Sequence, residues 1–296
     1  MEVLRYESAM LSEITSSYNN LINGQPHCYP VSVEDFESAV SGVEKEQLCS
    51  EEAFVVREGP AVLGFAHIGI DGPRKAEAGK QGIIRFLWYE RGHRPAGQTL
   101  LDFVEEYFHQ RSLTRVKAFH QDYRYPIYHL DHTYLSDRLN HIHGLLGLNG
   151  YSRIAGEVYL DWPDYDPATP SLADVSADVS AEFEEGHGKL PGLIIRAHQG
   201  KKEIGSCHSV SCGEFSHADD AQYWIFTTGL GVSPGMQGKG LGRYLLQRAL
   251  QEAKSIGYRH AVISANWKNY RAHVFYGNYG YHVADWTYAL AKNLQQ

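Results

Sequence analysis

An internal repeat constrains the fold of this chain more than any other feature of its 296-residue sequence. The segment that starts at Val55 resembles the segment that starts at Ile194, and each predicts a strand, a tight turn and a second strand. Two later pairs of segments repeat in the same order. Three matches in one order indicate a duplicated domain. The matching positions are Gly64 with Gly205, Gly97 with Gly242, and Gly150 with Gly280.

The stretch between the two halves is rich in proline, glycine, small residues and acids, which is typical of a linker. We expect it to carry a short helix around residues 176–185. The chain is long enough for two domains, and we place them at residues 1–162 and 163–296. The second half has few residues before its first hairpin, so we expect its opening helices to be shortened. The first half has extra residues near 120–137, which predicts an insertion.

Net charge and the lengths of apolar runs limit the kinds of partner that we expect for this chain. The formal net charge is −8 with the histidines neutral, whereas a nucleic-acid-binding face is basic. No stretch approaches the roughly 18 uninterrupted apolar residues that a membrane helix needs, and the first residues lack the apolar run of a signal peptide. We therefore expect a soluble, cytoplasmic protein without nucleic-acid or membrane partners, whose four cysteines are reduced.

Metal binding is the less favoured interpretation of the cysteines and histidines. Cys207 and Cys212 lie in a strand-like segment, and no second pair of ligands follows at a matched spacing. We expect no metal there, and we expect the histidine-rich insertion and the helix after it to be solvated. Tyr123, Tyr125 and Tyr128 fit either a pocket for a cationic or flat substrate or packing at the surface. The other candidate ligands are His129, Asp131, His132, His141 and His143.

A glycine-rich loop joins a predicted strand over residues 223–232 to a predicted helix over residues 243–253. Ser233-Pro234-Gly235 ends the strand, because this sequence suits neither a strand interior nor a helix. The unpaired N–H groups and the dipole at a helix N-terminus bind anions, and glycines let a phosphate reach the backbone. The loop therefore predicts a diphosphate site. Its spacing fits neither a P-loop nor a dinucleotide-binding fingerprint.

Two segments of the second half resemble the motifs of one family, the GNAT superfamily of N-acetyltransferases. The first segment, Val-x-x-x-x-Gln-x-x-Gly-x-Gly, begins at Val232. The second begins at Asn269 and continues with an alanine three residues on, a tyrosine seven residues on and a Gly-Tyr pair. The resemblance implies an α/β fold of two GNAT-like domains in tandem, each a mixed, mostly antiparallel twisted sheet flanked by helices. It also implies acetyl-CoA as the cosubstrate.

The resemblance implies roles for individual residues. In this family the pyrophosphate lies on the loop backbone, and the pantetheine arm pairs with a splayed strand and with an asparagine. Tyr276 would protonate the departing thiolate. The loop glycines could instead serve only a tight turn, Asn269 could be a helix cap, and Tyr276 could be a core aromatic residue. The residues implied in cofactor binding are Leu230, Gly231, Val232, Gln237, Gly238, Lys239, Gly240, Leu241, Gly242, Arg243 and Asn269.

The implied function is N-acetyl transfer from acetyl-CoA to a primary amine of a small molecule or a peptide, by direct attack on the thioester. Many relatives carry a carboxylate base on the strand before the loop, and here that strand has none. The base stays open between a water chain and a side chain such as His217, Asp219 or Asp220. The missing carboxylate also motivates an alternative, a non-catalytic sensor or regulatory module that binds acyl-CoA.

We expect the first half to be a degenerate copy that does not bind acetyl-CoA. It has Gly92 where the second half has the loop glutamine, and Leu146 where the second half has the candidate catalytic tyrosine. Pro95 replaces Gly240, the first glycine of the motif; proline is bulky and has no N–H to offer a phosphate. The sequence leaves the oligomeric state open.

Overall fold

The computed structural model describes residues 1–41, 48–71, 81–171 and 175–294. The strands are β1 (Glu2–Arg5), β2 (Leu48–Glu58), β3 (Ala61–Asp71), β4 (Gly82–Tyr89), β5 (Arg115–Ala118), β6 (Leu135–Ser136), β7 (Ser152–Trp162), β8 (Asp178–Glu184), β9 (Gly192–Gln199), β10 (Lys202–Ser211), β11 (Trp224–Val232), β12 (His260–Asn266) and β13 (His282–Asn293). The helices are α1 (Leu11–Ile22), α2 (Val33–Ser41), α3 (Arg94–His109), α4 (Asn140–Leu148), α5 (Leu241–Ser255) and α6 (Tyr270–Gly277). Within these ranges no helix combines the length and the apolar composition needed to cross a bilayer.

The chain divides into two compact units. The first contains Met1–Glu157 together with Asp285–Gln296, and the second contains Val158–Ala284. The end of the chain therefore belongs to the first unit, through β13. The domain boundary after residue 162 stays a prediction.

In the first unit the strand order is β1-β2-β3-β4-β5-β13, and the short β6 also pairs with β13. Among the described residues of this order, β4 and β5 run parallel and the other neighbouring strands run antiparallel. Every residue of β4 is buried, as expected of a strand covered on both faces. Helix α3 contacts β2, β3 and β4, and it buries one face that includes Leu100, Val104 and Phe108.

In the second unit β12, β11, β10, β9 and β8 follow one another in the sheet. Strands β11 and β12 are parallel, and the other pairs are antiparallel. Parallel neighbours need a crossover connection, which α5 supplies. Leu245, Leu246, Ala249 and Leu250 form the buried face of α5 as the sequence predicts, and the helix packs on β9, β10 and β11.

The predicted helix at residues 176–185 is wrong. Residues Asp178–Glu184 form β8, which pairs with β9 across seven residue pairs. The alanine and glutamates of this segment favour a helix only weakly, and backbone pairing along an open strand edge outweighs that preference. The opening helices of the second half are not merely shortened as predicted: the described part of the second unit has no α-helix before α5.

The insertion near residues 120–137 is largely buried rather than solvated, so the interpretation of its tyrosines as surface packing is wrong, and their use in a substrate pocket stays a prediction. Tyr123, Tyr125 and Tyr128 are 5%, 2% and 2% exposed and lie in the core of the first unit. The ring of Tyr125 stacks on Phe86 with 4.9 Å between centroids. His129 is also buried, and its Nε2 lies 3.7 Å from a carboxylate oxygen of Asp285. Sequence patterns missed this because the insertion has no periodic apolar face of its own.

Cys207 and Cys212 are buried free thiols. Among the described residues no group of three or more histidine, cysteine, aspartate and glutamate side chains is arranged to hold a metal ion. Burial raises the pKa of the Cys207 thiol to about 12, so this cysteine stays protonated and packs as a small apolar residue.

Candidate active site

The two parallel strands of the second unit separate part of the way along their length. Strand β11 pairs with β12 only from Trp224 to Thr227, although β11 continues to Val232. The backbone groups of Thr228–Val232 on that side therefore have no strand partner. Because backbone N–H and C=O groups need hydrogen bonds, this gap suits an extended ligand that carries amides.

A β-bulge accompanies the separation. On the other side of β11, His208 of β10 lies opposite Gly229, but Ser209 lies opposite Thr227. Thr228 is the extra residue, and its Oγ1 donates a hydrogen bond to the carbonyl oxygen of His208 at 3.4 Å. A bulge bends its strand and increases the local twist. The bulge thus gives a local physical cause for the departure of β11 from β12.

The glycine-rich loop leads from the end of β11 into α5. Gly238 and Gly240 have φ angles of +78° and +81°, which only glycine adopts readily. A Cβ atom at either position would meet nothing within 4 Å, so the space beside the loop is open. Gln237 Nε2 donates to the Val232 carbonyl oxygen at 3.1 Å and closes the loop. No side chain caps the N-terminus of α5, which leaves its N–H groups available to an anion.

The loop, the open part of β11 and helix α6 enclose a cavity of about 570 Å³, a volume typical of small-molecule sites. Ten of the twelve residues predicted for the site line it, and Gly231 and Lys239 do not. The ten are Leu230, Val232, Gln237, Gly238, Gly240, Leu241, Gly242, Arg243, Asn269 and Tyr276.

Sequence reasoning missed five further lining residues: Met236, Arg271, Ala272, Phe275 and Tyr279. Four of them belong to α6 or follow it. Ala272 lies three residues after Asn269 and Tyr279 three residues after Tyr276, which is a helical spacing, whereas Arg271 and Phe275 have no such spacing from either residue. Arg271 brings a second guanidinium to the cavity beside Arg243, whose guanidinium lies 5.4 Å from the centroid of the Tyr279 ring.

Asn269 caps helix α6. Its Oδ1 accepts a hydrogen bond from the Ala272 N–H at 3.2 Å, so the cap that the sequence left as an alternative exists. The same side chain lines the cavity. Its Nδ2 donates to no described residue and stays available, so one amide can serve the cap and a ligand.

Tyr276 is 8% exposed, and its ring packs on Phe275 and Tyr281 with centroids 5.2 and 5.9 Å apart. Its hydroxyl makes no hydrogen bond to another described residue. Burial, and then the proximity of Cys207, raise the pKa of Tyr276 above its usual value. The phenol therefore stays protonated at neutral pH and can donate a hydrogen bond into the cavity.

The suggested bases lie elsewhere. His217, Asp219 and Asp220 precede Trp224, where β11 begins, and none of them lines the cavity. Leu230 is six residues further along the strand, a distance of about 20 Å. Asp219 lies 2.6 Å from Lys189 Nζ in an exposed ion pair.

Residues 160–281 match the model of the acetyltransferase (GNAT) family. A solved tandem GNAT protein from the clavulanic acid biosynthesis pathway aligns with 100% of this chain and 99% of its own, at 12% identity and a TM-score of 0.68. A GCN5-related N-acetyltransferase from Sphaerobacter thermophilus aligns with 100% of this chain and 96% of its own, at 13% identity and a TM-score of 0.62. No curated protein matches the sequence.

A third solved structure, the glucosamine N-acetyltransferase region of a fungal multi-domain β-N-acetylglucosaminidase, aligns with 98% of this chain and 38% of its own. The identity is 14% and the TM-score is 0.68. Together, the fold and the family match define a GNAT-type architecture, which confirms the predicted fold class. Residues 160–281 match the GNAT family model, and the whole chain shares the fold of the solved tandem GNAT protein.

Proposed function

We propose that the second unit transfers an acetyl group from acetyl-CoA to a primary amine of a small molecule or a peptide. The observation that carries this proposal is the single cavity shared by three features: the open edge of β11, the left-handed glycines before α5, and the hydroxyl-bearing Tyr276. Each feature suits one part of acetyl-CoA.

The diphosphate would lie on the backbone of residues 237–242, at the N-terminus of α5, with Arg243 beside it. Backbone N–H groups and a helix dipole together stabilise such an anion. Gly231 and Lys239 would act at the margins, Gly231 through its backbone and Lys239 through its charge. The amides of the pantetheine arm would pair with the open edge of β11 and with Nδ2 of Asn269.

The amine would attack the thioester carbonyl carbon directly, and the C–S bond would break. A backbone N–H at the open edge of β11 would stabilise the developing oxyanion. Tyr276 would donate its hydroxyl proton toward the departing sulphur. A free thiol has a pKa near 8.5, below that of this phenol, so complete transfer before C–S cleavage is unfavourable. Tyr276 therefore acts as a hydrogen-bond donor whose proton moves as the bond breaks.

The first measurement is calorimetric titration of the whole chain with acetyl-CoA. We expect one site per chain with a dissociation constant in the micromolar range. Two sites per chain would mean that the first unit also binds. No binding would remove the proposal and leave only the fold.

The Tyr276→Phe variant separates an enzyme from a sensor that only binds acyl-CoA. We expect acetyl-CoA affinity to change by less than about twofold and turnover to fall by about 100-fold or more. The acceptor probes are glucosamine, cadaverine, 2-phenylethylamine and a peptide with a free N-terminus. Binding without turnover on any probe in the unmodified protein would favour the sensor.

A further inference from the structure

The proposed reaction needs a group that takes a proton from the amine. The segment Trp224–Val232 contains no acid and no histidine, and the acidic residues before it lie about 20 Å from Leu230 along the strand. A base must stand where the thioester would lie. Leu230 and Val232 line the cavity, and Thr227 is the last residue of β11 that pairs with β12. An arm lying along β11 from the loop therefore ends near Gly229.

His208 stands at this point. It is the direct partner of Gly229 across β10 and β11, and directly opposed residues of antiparallel strands present their side chains on the same face. A Cβ atom on Gly229 would be 4.0 Å from the His208 Cβ, and no nearer atom surrounds it. Because residue 229 is glycine, the imidazole borders open space where a side chain would otherwise stand.

The imidazole also lies on the face of the sheet opposite α5. A Cβ on Gly205 would contact Leu241 and Leu245 of α5, at 3.4 and 3.0 Å, so Gly205 faces that helix. Side chains alternate along a strand, which places Cys207 on the helix side and His208 on the opposite side. Accordingly Cys207 is fully buried, whereas His208 is partly exposed. An amine can reach His208 from this face while acetyl-CoA occupies the cavity.

We propose that His208 is the general base of the acetyl transfer, an inference that rests on the function proposed above. The amine nitrogen forms a bond to the thioester carbon with its lone pair, and one N–H proton passes to the imidazole. The C–S bond breaks, its electron pair leaves with sulphur, and the sulphur takes one proton from Tyr276. The products are an amide and CoA thiol, and solvent returns both side chains to their starting protonation states.

The described residues around His208 do not hold its imidazole in an ion pair or a hydrogen bond. Its partner on β9 is Ile194, and β11 carries no titratable side chain. Two charged groups lie on this face of the neighbouring strands, Arg196 of β9 one row away and Glu182 of β8 in the same row beyond Ile194, and they pair with each other at 3.7 Å. Among the described residues no salt bridge or hydrogen bond engages the His208 ring, so a proton acceptor remains available on the face opposite α5.

The test replaces His208 with alanine and adds imidazole. We expect the His208→Ala variant to lose about 100-fold or more of its turnover and to keep its acetyl-CoA affinity within about twofold. Free imidazole should restore part of the turnover in proportion to its concentration. His198→Ala is the matched control. His198 is partly exposed, lies on β9 on the same face of the sheet as His208, and is remote from Gly229. Tyr276→Phe should not respond to imidazole.

Each result decides the inference. Turnover that survives in His208→Ala would overturn the role of His208 and leave the acetyltransferase proposal intact. Loss of acetyl-CoA binding in both His208→Ala and His208→Gln would assign a structural role to the residue and would also overturn it. Acetyl-CoA binding without turnover in the unmodified protein would overturn the enzyme proposal itself, and this inference with it.

Discussion

The two units share a strand register and differ in what occupies the gap between their parallel strands. In the first unit the pairing of β3 with β4 shifts after His67, as the pairing of β10 with β11 shifts after His208. Strand β4 pairs with β5 only from Gly82 to Ile84 and then continues to Tyr89. The duplicated backbone therefore forms the same bulge and the same separation twice.

In the first unit the chain fills the gap itself. The bulge residue is Arg85, where the second unit has Thr228. Arg85 is buried, pairs with Glu51 at 2.5 Å, and donates to the carbonyl oxygens of Tyr123 and Arg124 at 3.4 and 3.0 Å. The insertion thus supplies hydrogen bonds and aromatic packing where the second unit leaves an open strand edge. The backbone frame alone does not make a binding site.

The N-terminus of the helix that follows the parallel strands, α3 in the first unit and α5 in the second, also differs between the units. Tyr89 stands at the register position of Val232, opposite Gly64 as Val232 is opposite Gly205. A Cβ on Gly97 would lie 2.5 Å from the Tyr89 ring, so this ring covers the start of α3. These contacts support the proposal that only the second unit binds acetyl-CoA.

Replacing the bulge residue of the first unit, Arg85, with the threonine found at the bulge of the second unit gives the largest expected effect. Arg85→Thr leaves the Glu51 carboxylate, whose side chain is 8% exposed, without its guanidinium partner. Breaking a buried pair from one side costs about 3–5 kcal/mol, and we expect this loss in the free energy of unfolding measured in urea. Arg196→Thr is the control, because the ion pairs of Arg196 are open to solvent. Equal losses in the two variants would contradict a structural role for the filled gap.

Exchanging the loop residues tests the difference in binding. Proline cannot adopt the φ of +81° that Gly240 has, so Gly240→Pro must distort the loop and remove an N–H. One hydrogen bond to a charged group contributes about 1.5–3 kcal/mol, which predicts acetyl-CoA binding weaker by about 10- to 100-fold in calorimetry. The reverse change, Pro95→Gly, should create no second site because Tyr89 still covers α3. A second site in that variant would show that proline alone disables the first unit.

The histidine at the bulge of the first unit, His67, predicts a pH effect on the stability of the fold. Burial, and then the charge of Arg85, lower the pKa of His67 to about 3, against about 6.5 in an unfolded chain. The Glu51 carboxylate 3.7 Å away opposes this shift but does not reverse it. The neutral ring is favoured in the fold, so its stabilising contribution is complete above pH 6.5 and is lost as the pH falls toward 3.

His67→Gln removes this titration. Between pH 7 and pH 5 the unmodified protein should lose about 2 kcal/mol more unfolding free energy than the variant, at about 1.4 kcal/mol for each pH unit below 6.5. Urea titrations at the two pH values measure the difference. Parallel losses in both proteins would show that the fold does not lower the pKa of His67.

The sequence predicted those features that local chemistry determines. Left-handed glycines, a strand break at Ser233-Pro234-Gly235 and a periodic apolar face are each readable within a few residues, so the loop and α5 fell near their predicted positions. The duplication predicted the tandem fold in the same way. The strand separation was available only through the family resemblance, because a bulge such as the one at Thr228 appears only when two strands are aligned in space.

The sequence predictions failed where burial or strand pairing depends on residues that are far apart in the chain. Residues 120–137 look solvated in sequence, but their tyrosines complete a core whose other members come from distant strands. The segment at residues 178–184 has helical residues, but the neighbouring strand edge decides its structure. Arg271 and Tyr279 escaped notice because their approach to the loop depends on how α6 is placed, which no short pattern contains.

The smallest expected effect separates the two uses of Asn269. Its counterpart in the first unit is Leu139, which precedes α4 and makes no side-chain cap. Asn269→Leu removes the cap to Ala272 and the Nδ2 donor, so we expect a loss of about 1 kcal/mol in unfolding free energy together with weaker acetyl-CoA binding. Asn269→Asp keeps an oxygen for the cap but lacks the donor. It should therefore retain the stability of the unmodified protein and bind acetyl-CoA about as weakly as the leucine variant. Full affinity in Asn269→Asp would mean that this residue only caps α6, as its hydrogen bond already shows it does.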